Sequence, residues 1–178
     1  MKLPARSAVI AMMLGAAAVC AAAPEDAPAP KAPILSTDLD GRDLAFFDAA
    51  SRQTALVVRL SGLAVKHAVT PEVQEMAAAI GKEQADAAGK LIALADQKHL
   101  PMSMEPDGQG RKQLDAIEKL AGAKFDKSYL DALGDAQDAL AATLDAGAGS
   151  ADKDIKQYAE AGIEILKQER ERVKKLGM

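Results

Sequence analysis

Three polar residues interrupt apolar stripes in which hydrophobic side chains recur every three or four positions. Gln84, Gln137 and Glu169 each fall on the stripe of a different predicted helix, and Val57 lies on the stripe of a fourth. Buried polar groups cost free energy unless they find hydrogen-bond partners, so these positions indicate a site inside the fold. The candidate ligands of a carboxylate-bridged Fe or Mn pair in a helical bundle are Glu83, Gln84, Gln137 and Glu169.

A hydrogen-bonded polar cluster explains these residues better than a metal pair does. First-row metals prefer imidazole, thiolate or several carboxylates, whereas the stripes supply one inward acid, Glu169, with Glu83 at the edge. We therefore expect both Gln amides to bond Glu169, with no metal, no cofactor and no catalytic residue. If the cluster has no function, Glu169→Leu should be neutral or stabilising.

Two further expectations concern the surroundings of Glu169. Burial should raise the pKa of its carboxyl group, and Arg59 or Lys82 are candidate ion-pair partners. By helix rise, Gln137 and Glu169 lie about 15 Å and about 26 Å from the turn between their helices. That offset predicts that a shifted or kinked helix is needed to bring them together.

The segment that follows the second predicted helix offers another set of ligands. His99, Met102 and Met104 combine an imidazole with two thioethers, which are donors that suit Cu(I). Methionine also fills gaps in hydrophobic cores, and His67 and His99 both stand at helix ends, where imidazole is favourable. A copper-binding loop is therefore an alternative to two histidines that merely close helices.

The elements that would position these residues are all helices. Apolar spacing predicts four long helices and one short one, at residues 37–68 with Thr37 as N-cap, 71–99, 111–120, 124–146 and 152–176. The fold class is all-α: a ferritin-like up-down bundle of four long helices with the short helix in the crossover. The Gly-x-Gly at 108–110 follows no predicted strand and is expected in a loop.

Composition and charge limit the classes of partner. The chain has 178 residues, of which 49% are hydrophobic and 3% aromatic. Its formal charge is −4, and removal of Lys2 and Arg6 with a leader would make it −6. This charge argues against nucleic acid and against anionic lipid as a partner.

The N-terminal part has the pattern of an export signal. Lys2 and Arg6 flank an apolar run at 7–19, and small residues follow at 21–23. We expect a signal peptide at 1–22, a Pro/Ala-rich disordered tether at 23–35 and the helical domain at 36–178, with no transmembrane segment in the mature chain. The predicted location is periplasmic or outer-membrane-associated, and lipidation at Cys20 is the alternative.

One block of sequence resembles a family signature. The chain is similar to a bacterial family of exported ferritin-like proteins, domain of unknown function 4142, in the segment Gly122-Ala123-Lys124-Phe125-Asp126-Lys127-Ser128-Tyr129-Leu130-Asp131. Leu35-Ser36-Thr37-Asp38 and residues 87–95 also fit its pattern, and the resemblance spans 35–176. Members are often described as predicted outer-membrane proteins. The resemblance implies a ferritin-like bundle in the envelope and no known reaction.

The chain departs from that pattern on the polar stripes. The family usually has an Asp-His pair where this chain has Glu83-Gln84, and histidines where it has Gln137 and Glu169. An acidic residue of the first helix corresponds to Val57. The resemblance therefore implies that this copy has lost or changed whatever site those histidines form.

These observations favour an exported envelope protein with a non-catalytic structural, stress-related or interaction role. One alternative is a metal-dependent redox or storage protein that uses Fe, Mn or Cu. A second alternative is a binder of a small apolar ligand between the Ala-rich helices. The expected partner is an unidentified envelope protein or a second copy of the chain.

Overall fold

Five helices make up the fold, in a computed structural model that describes residues 39–176. They are α1 (Gly41–His67), α2 (Pro71–Gln97), α3 (Gly108–Glu118), α4 (Ala123–Ala148) and α5 (Lys153–Lys175). Residues 39–176 contain no strand, and the predicted all-α bundle of four long helices and one short one is confirmed. The predicted signal peptide at 1–22 and tether at 23–35 lie outside the described residues.

Two predicted helix starts need correction. Asp40, and not Thr37, is the N-cap of α1, because its carboxylate accepts hydrogen bonds from the amides of Arg42 and Asp43 at 2.8 and 2.9 Å. The Gly-x-Gly at 108–110 is the first turn of α3 and not a loop. Asp107 caps that helix, since its side chain accepts from the amide of Gly110 at 2.7 Å.

Contacts at the two ends of the bundle define the direction of each helix. At one end, the start of α4 meets the turn between α1 and α2, where Asp126 accepts from the amides of Val69 and Thr70. At the other end, Ser150, in the turn between α4 and α5, donates to Asp43 near the start of α1. Hence α1 and α5 run one way, α2 and α4 run the other, and the segment containing α3 crosses the full length of the bundle.

The hydrophobic core consists of two clusters. The cluster near the α1–α2 turn contains Val57, Leu60, Ile80, Phe125, Tyr129 and Leu133 among others. The cluster at the opposite end contains Phe46, Ala50, Leu91, Leu140, Ile155 and Leu166 among others. Along α2, α4 and α5 the change from one cluster to the other falls at Gln84, Gln137 and Glu169, so a polar layer lies between them.

Helix length and hydropathy bear on whether the fold could span a membrane. Within residues 39–176, none of the helices is both long enough and apolar enough to cross a bilayer.

Candidate functional site

Glu169 is the centre of the polar layer. Its side chain is fully buried, at 0% exposure. The Gln84 amide donates to Oε1 at 3.0 Å from α2, and the Gln137 amide donates to Oε2 at 2.9 Å from α4. The cluster predicted from the apolar stripes is therefore present, and it ties α5 to two other helices.

Burial dominates the acid–base chemistry of this carboxyl group. Loss of water raises the pKa of Glu169 to about 7, against an ordinary value of 4.5, while the two Gln amides act in the opposite direction. Glu83 adds a smaller upward effect and Arg172 a smaller downward one. The predicted rise is confirmed, and Glu169 changes its protonation state close to neutral pH.

An ion pair flanks each of the two amide–carboxylate bonds. Beside Gln84, Glu83 accepts from Arg172 of α5 at 2.6 and 2.8 Å. Beside Gln137, Asp138 accepts from Arg170, the residue that follows Glu169. The Glu83–Arg172 pair joins α2 to α5, as the inner bond from Gln84 does. The Asp138–Arg170 pair joins α4 to α5, as the inner bond from Gln137 does. Both ion pairs are more exposed than the bonds beside them.

The predicted ion-pair partners of Glu169 are wrong. Arg59 binds Glu105 in the crossover at 2.6 Å, and Lys82 pairs with Asp86 one turn along its own helix at 2.8 Å. Both cations lie on the exposed faces of their helices. Each therefore pairs with an exposed carboxylate and not with the buried Glu169. Arg172 is the cation that acts on Glu169, and it does so while bonded to Glu83.

The predicted offset between Gln137 and Glu169 does not keep them apart. Lys98, which caps the end of α2, bonds Asp152 at 2.5 Å, and Asp154 at 3.0 Å, at the start of α5. Gln84 lies about 21 Å before Lys98 along α2, close to the distance from Asp154 to Glu169 along α5. The start of α5 is therefore level with the end of α2, which places Glu169 within hydrogen-bond distance of both Gln84 and Gln137.

Other buried polar side chains surround the cluster. Thr54 of α1 and Gln84 line a cavity of about 10 Å³, roughly the room for one water molecule. The hydroxyl groups of Ser61 and Tyr129 are close enough to interact, but within the described residues neither has a well-aligned hydrogen-bond partner. Burial raises the pKa of Tyr129 to about 12, and the nearby Glu169 adds to this rise.

Val57 does not belong to the polar layer. It is fully buried in the hydrophobic cluster near the α1–α2 turn. Thr54, one turn before it, is the buried polar residue of α1 that lies closest to the boundary between the two hydrophobic clusters. Thr54 was visible on the apolar stripe of the sequence as a hydroxyl among hydrophobic residues. It could have been chosen over Val57 for that reason.

The Phe-Asp-x-x-Tyr block has a structural role at the start of α4. Phe125 and Tyr129 are fully buried and stacked, with ring centroids 6.5 Å apart. Between them, Asp126 accepts from the amides of Val69 and Thr70 at 3.0 Å each, and from the Thr70 hydroxyl at 2.6 Å. The block therefore fixes α4 to the α1–α2 turn.

The residues of the predicted copper loop make contacts that belong to a helix end. His99 has a φ of 56° and follows Lys98, the last cap of α2. The amide of His99 donates to the carbonyl of Asp96, and that of Leu100 donates to the carbonyl of Ala95, which is a Schellman motif. Met102 packs on the adjacent core cluster, and Met104 is partly buried.

The chemistry available to the polar layer is that of a protonatable acid between neutral amides. Both oxygens of Glu169 accept from amide N–H groups, so the O–H of the protonated acid would find an acceptor in this pair of residues only if one Gln turned its carbonyl toward it. In the part of the chain that the structure describes, no three His, Cys, Asp or Glu side chains are grouped to hold a metal ion. Glu83, the remaining candidate ligand, is bonded to Arg172.

Comparison with known proteins identifies the family. No significant match was found among curated proteins or among solved structures. The family described as domain of unknown function (DUF4142) matches residues 27–176, which include the five helices of the described residues and the Phe-Asp-x-x-Tyr block. The chain therefore belongs to the DUF4142 family.

Proposed function

We propose that this chain is an exported, ferritin-like member of its family with a non-catalytic structural or interaction role in the cell envelope. The observation that carries the proposal is the closure of the polar layer around Glu169. Both carboxylate oxygens are occupied by amide donors, and the side chain has no exposed surface. A substrate or metal would have to displace bonds that the fold already uses.

The direction of the helices supports the ferritin-like part of the proposal. Two antiparallel hairpins, α1–α2 and α4–α5, are joined by one crossover that runs the length of the bundle. A single long crossover is the connectivity that distinguishes ferritin-like bundles from simple up-down-up-down ones.

The sequence supports the export part. Two basic residues, an apolar run at 7–19 and three alanines at 21–23 follow one another in the order of a secretory signal. The Pro- and Ala-containing stretch at 23–35 would then separate the domain from the cleavage site. Mass spectrometry of the N-terminus of protein recovered from the periplasm would test this: a first residue near position 23 is expected, and an intact Met1 would contradict export.

Metal binding is the competing function, and the contacts of its candidate ligands favour structural roles. Glu83 pairs with Arg172, and Gln84 and Gln137 direct their amide nitrogens, which cannot ligate a cation, at Glu169. Among the candidate copper ligands, the backbone amide of His99 bonds a carbonyl at the end of α2, and Met102 packs on the hydrophobic core.

Metal content of the purified protein separates the two functions. We expect less than stoichiometric Fe, Mn, Zn and Cu after exposure to each ion, with equal values for wild type and Glu169→Gln. Stoichiometric metal that is lost in Glu169→Gln would overturn the non-catalytic role. Metal that is lost only in a Met102→Leu/Met104→Leu variant would instead establish the copper loop.

A further inference from the structure

Helices α2 and α5 are joined at two levels and stand apart between them. At one level Gln84 and Glu83 bond Glu169 and Arg172, and at the other Lys98 bonds Asp152 and Asp154. In the described residues the single hydrogen bond between these levels is a long one, 3.4 Å from the Tyr158 hydroxyl to the Ala87 carbonyl. The space between the two helices therefore lies between two sets of polar contacts.

That space is a groove of about 420 Å³, within the size range of pockets that bind small molecules. From Ala87 to Gln97 it runs about 15 Å along the bundle. Small residues line part of it: Ala93 on α2, and Ala161 and Gly162 on α5. Its walls are mostly apolar, with Leu94, Tyr158 and Ile165 as the larger side chains.

The two charged residues on the rim of the groove, Lys90 and Asp154, differ in their ion pairs. Lys90 is the one cationic residue that lines the groove in the described part of the chain. Its neighbour Asp86, one turn before it on α2, is held by Lys82 at 2.8 Å. The acid on the rim, Asp154, is held by Lys98. The groove thus combines an apolar wall with an exposed ammonium group that forms no ion pair within residues 39–176 and that interacts with Asp86 only at longer range.

We propose that this groove binds a small amphipathic monocarboxylate, with its apolar body between α2 and α5 and its carboxylate at Lys90. An apolar body removes the partly exposed side chains of Tyr158 and Ile165 from water, which is the main source of affinity in such sites. The carboxylate adds one ion pair at an exposed position and fixes the orientation of the ligand. The proposal does not depend on the role assigned to Glu169.

Isothermal titration of the purified protein with decanoate, and with decanol as the uncharged counterpart, tests the charge. Saturable binding of decanoate is expected, and Lys90→Gln should weaken it about two- to fivefold while leaving decanol binding unchanged. Lys66→Gln, which removes an exposed charge from α1, is the matched control and should bind decanoate like wild type. Equal decanoate affinity in Lys90→Gln and wild type would overturn the assignment of the carboxylate.

Filling the groove tests its location. Ala161→Leu and Ala93→Leu place an isobutyl group into the groove from opposite walls and should each abolish binding of both compounds. Ala142→Leu adds the same group to an exposed part of α4 outside the groove and should have no effect. The proposal is wrong if wild type binds neither compound, or if the two filled variants, shown by circular dichroism to be folded, bind as wild type does.

Discussion

Gln84 and Glu169 lie 85 positions apart in the chain and are joined by a hydrogen bond of 3.0 Å in the middle of the bundle. The bond connects α2 to α5, and its counterpart from Gln137 connects α4 to the same carboxylate. The layer they form divides one hydrophobic cluster from the other. The carboxylate thus joins three helices, and loss of either amide would leave one of its buried oxygens without a hydrogen bond.

Stability should depend on pH through Glu169. Its pKa is about 7 in the folded protein and 4.5 ordinarily, so the unfolded chain releases this proton at lower pH than the folded one. The resulting stabilisation is fully present below pH 4.5 and is lost as pH rises through 7, a change of about 3 kcal/mol in the free energy of unfolding.

Urea unfolding of wild type and Glu169→Gln at several pH values, from acidic to mildly alkaline, measures this effect. The amide of the variant does not titrate, and the other carboxylates contribute equally to both proteins, so the difference between the two free energies isolates Glu169. That difference should change by about 3 kcal/mol across the range. A constant difference would mean that the Glu169 carboxyl titrates normally.

Asp126 should be essential to the α1–α2 turn. Asp126→Ala removes the acceptor of two backbone amides and one hydroxyl in a buried position, and we expect a loss of about 3 kcal/mol. Asp131→Ala, five residues further along α4, removes an exposed partner of Lys127 and should change stability by less than about 0.5 kcal/mol. Equal effects in urea unfolding would contradict the role given to the Phe-Asp-x-x-Tyr block.

Apolar spacing predicted the number of helices and three members of the polar layer, but it missed Thr54 and the starts of α1 and α3. The stripe positions of Gln84, Gln137 and Glu169 follow from the helical period, and their mutual bonding follows from the cost of burying polar groups. The start of α2 was also predictable, because Thr70-Pro71-Glu72 combines a cap, a proline at the first turn and an acid. Such features depend on residues close together in the sequence.

Contacts between distant segments were not predictable in this way. Arg59 binds Glu105 in the crossover, whose path no periodic pattern describes. The pairs Glu83–Arg172 and Asp138–Arg170 did have a signal in the sequence. Glu83, Asp138 and Arg170 each stand directly beside a polar residue of the apolar stripes, and Arg172 stands one turn after Glu169. The position of α5 along the bundle axis depends on the four residues that connect it to α4, and these residues have no periodic pattern from which their path could be predicted.

His99→Gly should stabilise the protein. His99 adopts a φ of 56°, which costs a side-chain-bearing residue about 1 kcal/mol and which glycine adopts freely. His67→Gly is the matched control: His67 is the last residue of α1 and its ring contacts Phe125, so this change should be destabilising. Thermal unfolding that shows a lower midpoint for His99→Gly would indicate that the imidazole makes contacts of its own, as a copper loop requires.

Gly147 should not tolerate a methyl group. A Cβ atom there would overlap the ring of Phe46 and lie 3.1 Å from Cβ of Ala159, so Gly147→Ala should cost about 1–3 kcal/mol. Gly134 lies on the same helix, where an added Cβ atom would meet nothing within 4 Å, and Gly134→Ala should be stabilising by up to about 1 kcal/mol. Opposite signs in denaturant unfolding are expected, and a neutral Gly147→Ala would show that the Phe46 ring moves freely.

The structure changes the expectation for Glu169→Leu. Alone, this substitution removes the bonding partner of both Gln84 and Gln137 and leaves two buried amide groups unpaired, which should cost about 2–4 kcal/mol. Replacing all three residues removes every polar group of the layer together. Apolar replacement of a complete buried polar network is often neutral or stabilising.

The free energy of unfolding of Glu169→Leu and of the triple variant Gln84→Leu/Gln137→Leu/Glu169→Leu, measured in urea at mildly alkaline pH, tests the central claim most directly. If the layer is an internally satisfied structural cluster, the single variant is less stable than wild type and the triple variant recovers at least wild-type stability. A triple variant that is as unstable as the single variant, or less stable, would contradict this account.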